Sequence, residues 1–183
     1  MCGPEYRLDK TGVQAGTMSK TSPGVLTLGP AEGESISVVG DTYRILVSGA
    51  QTGGAFAIID MLIPPKGGPG PHSHAAMHES FYVIEGEVVV KTKDLTYTAR
   101  QGSLVSIPEG GVVHEFKNLS HSTAHLLCTV VPAGLDAMFL EIGQPVPAET
   151  FLPPSPLSRA ELTRLTAIAE KYGQKLFPPD YLD

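Results

Sequence analysis

From Val25 onward, short runs of alternating apolar and polar residues follow one another between turn formers, and this pattern predicts a β-protein. Strands are expected over residues 35–39, 42–47, 55–63, 80–85, 87–92, 95–98, 103–107, 112–118 and 124–131. Gly53-Gly54, the stretch 64–70, Gly86, Gly102 and the stretch 108–111 separate them. In Glu87-Val88-Val89-Val90-Lys91, as in several other runs, the alternation suits a sheet with one face buried. A succession of short antiparallel strands at this spacing implies a sandwich or barrel. The 20 glycines and 16 prolines fit that reading, because they punctuate the chain without repeating.

The two ends differ from this middle. Residues 1–24 form a polar, weakly patterned arm, and a β-barrel domain is expected over 25–152. A tail follows over 153–183, opening with the stiff linker Pro153-Pro154-Ser155-Pro156. Ser158-Arg159-Ala160-Glu161 has the form of a capping box. Leu162, Leu165, Ala169 and Tyr172 recur at helical spacing, and Gly173 can stop the helix. A helix over 158–172 is therefore expected, its apolar face packed on the barrel or on a partner subunit.

Composition narrows the partners. A chain of 183 residues, 42% hydrophobic, suits one domain with a sizeable core. The net charge, 13 − 19 = −6, argues against non-specific nucleic-acid or anionic-membrane binding. No apolar run approaches the ~20 residues of a membrane span. The start, Met1-Cys2-Gly3-Pro4-Glu5, lacks the basic and apolar regions of a secretory signal. Cys2 and Cys128 are too few for a disulfide framework, and Cys128 falls in an apolar strand pattern, as a buried free thiol does. A cytoplasmic location is expected.

The chemistry lies in His72-Ser73-His74, Glu79 and His114. On a strand, His72 and His74 share a face, with roughly 6.6 Å of rise between them, so both imidazoles can converge on one metal. The stretch 75–78 must bend to return Glu79 to them. All six histidines lie between His72 and His125. A carboxylate buried among histidines is costly alone, whereas a divalent cation removes that cost.

These residues resemble the cupin family. Its first motif, H-x-H, three or four residues, E, six residues, G, appears as His72-Ser73-His74, Glu79 and Gly86. Its second appears as Gly102, Pro108-Glu109-Gly110, His114 and Asn118. Three residues rather than two separate Gly110 from His114, and counting from Gly111 restores the spacing, as a one-residue insertion in the turn requires. The glycine expected six positions before His72 is displaced, since Lys66 stands there and Gly67 follows. The resemblance covers roughly 42–143. Its flanks, Gln51-Thr52-Gly53-Gly54 and Val131-Pro132-Ala133-Gly134, look like single-domain cupins grouped with quercetin dioxygenases. It implies a double-stranded β-helix (jelly-roll) barrel, often a homodimer, with His72, His74, Glu79 and His114 as ligands of one metal inside its mouth.

Neighbouring residues receive plainer roles. His78 could substitute for Glu79 as a ligand, but its spacing to Gly86 is one too long. His121 falls in a turn, and His125 is expected on the outer barrel wall. Phe81 and Phe116 lie two residues beyond Glu79 and His114, so both point inward as core and as walls of a substrate pocket, whereas Tyr82 points outward. Met61 and Met138 are expected as core filler.

The resemblance implies a metal-dependent dioxygenase that oxidises a small aromatic or enolic, flavonol-like substrate with O2. Glu79 would then be both ligand and general base. Fe, Mn, Ni, Co and Cu all suit imidazole and carboxylate donors, and Zn is possible. Two alternatives stay open: a non-redox isomerase or polyketide-type cyclase using the metal as Lewis acid, and a small-molecule-binding cupin without turnover. No arginine clamp for a phosphorylated sugar accompanies the motifs.

Overall fold

The computed structural model describes residues 24–154 and 156–183. The arm expected over 1–24 therefore lies outside the described residues, apart from Gly24. Twelve strands and three helices follow in order: β1 (Glu34–Val38), β2 (Asp41–Val47), α1 (Gly49–Thr52), β3 (Ala57–Ile63), β4 (His72–His74), β5 (His78–Glu85), β6 (Glu87–Thr92), β7 (Thr96–Arg100), β8 (Leu104–Ile107), β9 (His114–Lys117), β10 (Ala124–Val131), α2 (Leu135–Ile142), β11 (Gln144–Pro145), α3 (Arg159–Lys171) and β12 (Gln174–Leu176).

The strands form two sheets, in the orders β11-β1-β2-β3-β10-β5-β8 and β12-β4-β9-β6-β7. Every pairing is antiparallel. Period-two alternation decides which side chains enter the core. In β10, Ala124, Leu126, Cys128 and Val130 are buried while the residues between them are not. In β5, Glu79, Phe81 and Val83 point inward, and Tyr82 is 46% exposed. Ile59, Met61, Ile63, Phe81, Val83 and Leu126 are almost fully buried in the core. Each such apolar side chain contributes about 1.5–3 kcal/mol of transfer free energy.

Several boundaries moved for local reasons. β3 starts at Ala57 because α1, capped by Ser48 and ended by left-handed Gly53, precedes it. β9 starts at His114 because Gly110 and Gly111 both have positive φ, 114° and 78°, where a side chain would be strained. This double-glycine turn accommodates the extra residue of the second motif, and the Gly110 N–H donates to Ala75 O at 3.0 Å, tying it to the bend before Glu79.

The tail forms the expected helix. Ser158 caps α3, its hydroxyl accepting from the Glu161 N–H while the Glu161 carboxylate accepts from the Ser158 N–H. Gly173 follows at φ 78°. The chain then returns to the second sheet: β12 pairs with β4, setting Leu176 opposite His72 and Gln174 opposite His74. α2 was not anticipated. Leu135 and Met138 bury its apolar side, and the buried Asp136 carboxylate accepts the Gly49 and Gly134 N–H groups. No helix among the described residues is long and apolar enough to cross a membrane.

Candidate metal centre

The four expected residues meet between the two sheets. His72 and His74 come from β4, His114 from β9 and Glu79 from β5. His72 and His114 are direct cross-strand partners, with ring centroids 4.3 Å apart. One donor atom from each of the four residues lies within 4.8 Å of the others, and all four side chains are buried.

Backbone carbonyls fix the tautomers. The Nδ1 atoms of His72, His74 and His114 lie 2.9, 3.0 and 2.8 Å from the carbonyl oxygens of Gly70, Met77 and Val112. A carbonyl oxygen only accepts, so each Nδ1 carries the hydrogen and each Nε2 presents its lone pair inward. The carbonyl that orients His74 belongs to the 75–78 bend, so the same turn aims an imidazole and returns the carboxylate.

Glu79 Oε2 sits 3.1 Å from His74 Nε2 and 3.4 Å from His114 Nε2. With hydrogens on both Nδ1 atoms, lone pairs would face lone pairs across those gaps, so a proton or a metal ion must stand between them. Three neutral nitrogen donors and one carboxylate oxygen suit a divalent transition metal. Glu79 Oε1 faces the other way and accepts from the buried Cys128 thiol at 3.4 Å.

Electrostatics separate the members of the group. Burial alone would raise the Glu79 carboxyl, but the His114 and His74 imidazoles beside it, with His72 nearby, outweigh it and hold it well below the usual carboxylate range. Burial, reinforced by His114, lowers His72 to about 4 and keeps it neutral. Burial would also lower His74, but the Glu79 carboxylate beside it dominates and raises it. Cys128 is pushed well up by burial and then by the Glu79 charge, so its thiol stays protonated as a donor.

The group opens on a cavity of about 320 Å³, to which His72 and Glu79 contribute. Tyr43, Met61, Phe116, Met138 and Phe139 supply apolar walls, and Leu157, Leu162 and Leu165 close it from the tail. The apolar stripe of α3 thus serves the cavity as well as the core: Ile168 and Ala169 are buried while Leu162 stays half-exposed. Of the two expected aromatic walls, Phe116 lines the cavity. Phe81 is buried behind it, with ring centroids 5.2 Å apart, and is not among the lining residues. Met61 and Met138 lie in the core and also line the cavity.

The other histidines stay outside the group. His78 Nε2 lies 2.8 Å from Ser106 Oγ on the exposed side of β5. His125 pairs with Asp60 on the outer face, where Arg44 also holds Asp60 at 2.6 Å. His121 is exposed.

Sequence reasoning missed three residues. Cys128 was placed inside correctly, but its contact with Glu79 joins strands 49 residues apart in sequence. Asp41 and Tyr43, at the start of β2, also line the cavity. Their one visible signal was the parity of positions 41 and 43. Asp41 accepts from the Tyr43 hydroxyl and the Gly68 N–H, each at 3.1 Å.

Burial raises the Asp41 carboxyl from 3.8 to about 6, against the opposing pull of Gly68, Tyr43 and Lys117. The folded state therefore favours protonated Asp41. Its contribution to stability is complete below about pH 3.8 and is lost as pH rises through about 6. Asp41→Asn removes this titration. Relative to wild type, the variant should gain roughly 2 kcal/mol between pH 4 and pH 7, measured by urea unfolding at both. A stability difference that stays flat across that window would remove Asp41 as the titrating group.

Comparison with known proteins agrees with this geometry. Residues 59–130 match the family model described as "Cupin domain". The chain is 26% identical over 120 residues to the quercetin 2,3-dioxygenase of Bacillus subtilis (strain 168), a match covering 66% of this chain and 35% of that protein. It thus spans about a third of the length of that curated relative. Among solved structures, KdgF from Halomonas sp. aligns with a TM-score of 0.54 at 14% identity, covering 63% of this chain and 99% of that one. The polyketide cyclase RemF from Streptomyces resistomycificus aligns at 0.52 and 18% identity, covering 74% and 89%. Both structural likenesses concern the fold.

Proposed function

We propose, from the premise that this chain carries a cupin domain and is similar to quercetin dioxygenase, that it is a metal-dependent dioxygenase of small aromatic or enolic substrates. One observation carries the reading: three inward Nε2 lone pairs and a carboxylate converge, and two of these residues, His72 and Glu79, line a largely apolar cavity. His72, His74, Glu79 and His114 would hold one divalent transition metal. Bound there, a redox-active metal supplies Lewis acidity toward a substrate oxygen and electron exchange with O2.

The chain's own residues do the remaining work. Phe116, Met61 and Met138 favour a flat apolar ring system and keep water from the acid–base groups. Glu79 would take the proton of the substrate hydroxyl on a carboxylate oxygen, so that the O–H bond breaks and the substrate oxygen becomes anionic. The Cys128 thiol donates to Oε1 and so fixes the orientation of the carboxylate.

The test begins with elemental analysis of untagged protein purified without chelator or added metal. Near-stoichiometric Fe, Mn, Ni, Co or Cu, followed by oxygen uptake with flavonols, is the expected result. Zinc alone with no oxygen uptake would transfer the site to non-redox isomerisation or cyclisation, the activity class of the cyclase whose fold it resembles. Absence of metal, with none taken up on titration, would leave a binding barrel and end the dioxygenase reading.

A further inference from the structure

Beyond the metal group, Asp41 is the other acidic residue among those lining the cavity. It is 4% exposed, and Tyr43 is 3% exposed. Asp41 occupies a built position. Gly68, at φ 105°, directs its N–H to both carboxylate oxygens, and a Cβ on Gly67 would collide with Oδ1. Lys117, across the cavity wall on β9, places its ammonium on the Gly68 carbonyl and attracts Asp41 through space.

Hydrogen-bond capacity in this corner is uneven. A carboxylate offers about four lone-pair sites, and among the described residues Asp41 receives the Gly68 and Tyr43 donors alone. Tyr43 has committed its hydrogen to Asp41 Oδ2, so toward the cavity its hydroxyl oxygen can only accept. Asp41 and Tyr43 therefore present acceptors to whatever enters, beside a Lys117 ammonium held on the Gly68 carbonyl, and their own complement is a donor. The surrounding Phe116, Met61 and Phe139 are apolar, and the Lys117 ammonium beside Asp41 disfavours a cation there, so a neutral donor suits the corner. Glu79 belongs to the metal group, its Oε2 facing His74 and His114, and leaves the β2 corner to Asp41.

We propose that Asp41 and Tyr43 form a second polar subsite of this cavity, which accepts a hydrogen bond from a hydroxyl group on an aromatic substrate and so selects hydroxylated ring systems over unsubstituted ones. The proposal rests on the aromatic-substrate reading above. It gives that substrate two oxygen functions, one directed to the metal group and one to the β2 wall. With its carboxyl near 6, Asp41 is ionised at neutral pH and is the stronger acceptor for it.

The test uses two fluorescent bicyclic probes that differ by one hydroxyl, 2-naphthol and naphthalene. Each is titrated into the purified full chain at pH 8 as wild type, Asp41→Asn and Tyr43→Phe. Wild type should prefer 2-naphthol by about tenfold or more, as a hydrogen bond to a charged acceptor requires. Asp41→Asn keeps an oxygen for the Gly68 N–H and should lower that preference about fivefold, with naphthalene affinity unchanged.

Should the asparagine variant not fold, Tyr43→Phe decides alone. It preserves the ring packing on Phe139, at 4.9 Å between centroids, and removes only the hydroxyl. A wild type without preference, a preference that survives substitution, or equal weakening of both probes would overturn the subsite and leave Asp41 as an anchor of the 67–70 loop. None of these readouts needs turnover. Silence in the oxygen-uptake assay would end the dioxygenase reading while leaving the naphthol result in force, and the reverse holds equally.

Discussion

Replacing His72 or His114 by alanine should cost most of the bound metal, with affinity falling on the order of 10³-fold or more. Loss of an outer partner of a metal ligand already costs about 10–100-fold, and loss of the ligand itself should exceed that. The two histidines are suited to this test because they face one another across a single β4–β9 pairing. Each is also oriented by its own backbone carbonyl, from Gly70 and from Val112. Alanine fits either strand, so the sheet should persist by circular dichroism. Elemental analysis gives the direct answer, and thermal unfolding gives an independent one. Added metal should raise the Tm of wild type by mass action and leave that of the variants nearly unmoved. Full metal retention by both variants would exclude these histidines as ligands.

Glu79→Gln should lower turnover by about 10²–10⁴-fold, the range expected when a positioned acid–base group is lost. The substitution preserves volume and leaves an oxygen for the Cys128 thiol. Two roles are merged in this residue, and metal content separates them. A variant that keeps its metal but loses turnover has lost the proton acceptor, whereas one that loses both has lost a ligand. Unchanged turnover with full metal content would end the general-base assignment. The electrostatics favour a large effect on the metal side, because His114, His74 and His72 together hold the Glu79 carboxyl in its ionised form. An amide cannot replace that charge against three imidazoles.

Local periodicity made much of this molecule legible. The inward parity of Glu79 and Phe81, or of His114 and Phe116, follows from two-residue repetition along a strand, and the structure has each of them buried. The capping box at Ser158 is equally local, and α3 starts where it predicts. The residues that escaped are held by contacts distant in sequence. Nothing near Gln174 announces that three residues beyond a helix will pair with the strand bearing His72 and His74. Nothing near Cys128 announces Glu79. α2 was missed because its apolar residues continue those of β10 after a short turn, and only the capture of Asp136 by the Gly49 N–H shows where the new element begins. Phe81 illustrates the limit of parity. Facing inward brought it to the core, but Phe116 stands between it and the cavity.

The walls of the cavity and the atoms that would grip a metal are written in different parts of the chain. All four candidate ligands fall between positions 72 and 114, whereas the walls draw on β2, on α2 and on the returning tail from Leu157 to Phe177. Substitutions in those outer segments can reshape what fits without disturbing a single imidazole. Two chains with the same four ligands could therefore serve different molecules, and a change of substrate would need no change of chemistry. For an engineer, residues such as Leu162, Leu165 and Phe139 form a dial separate from the engine.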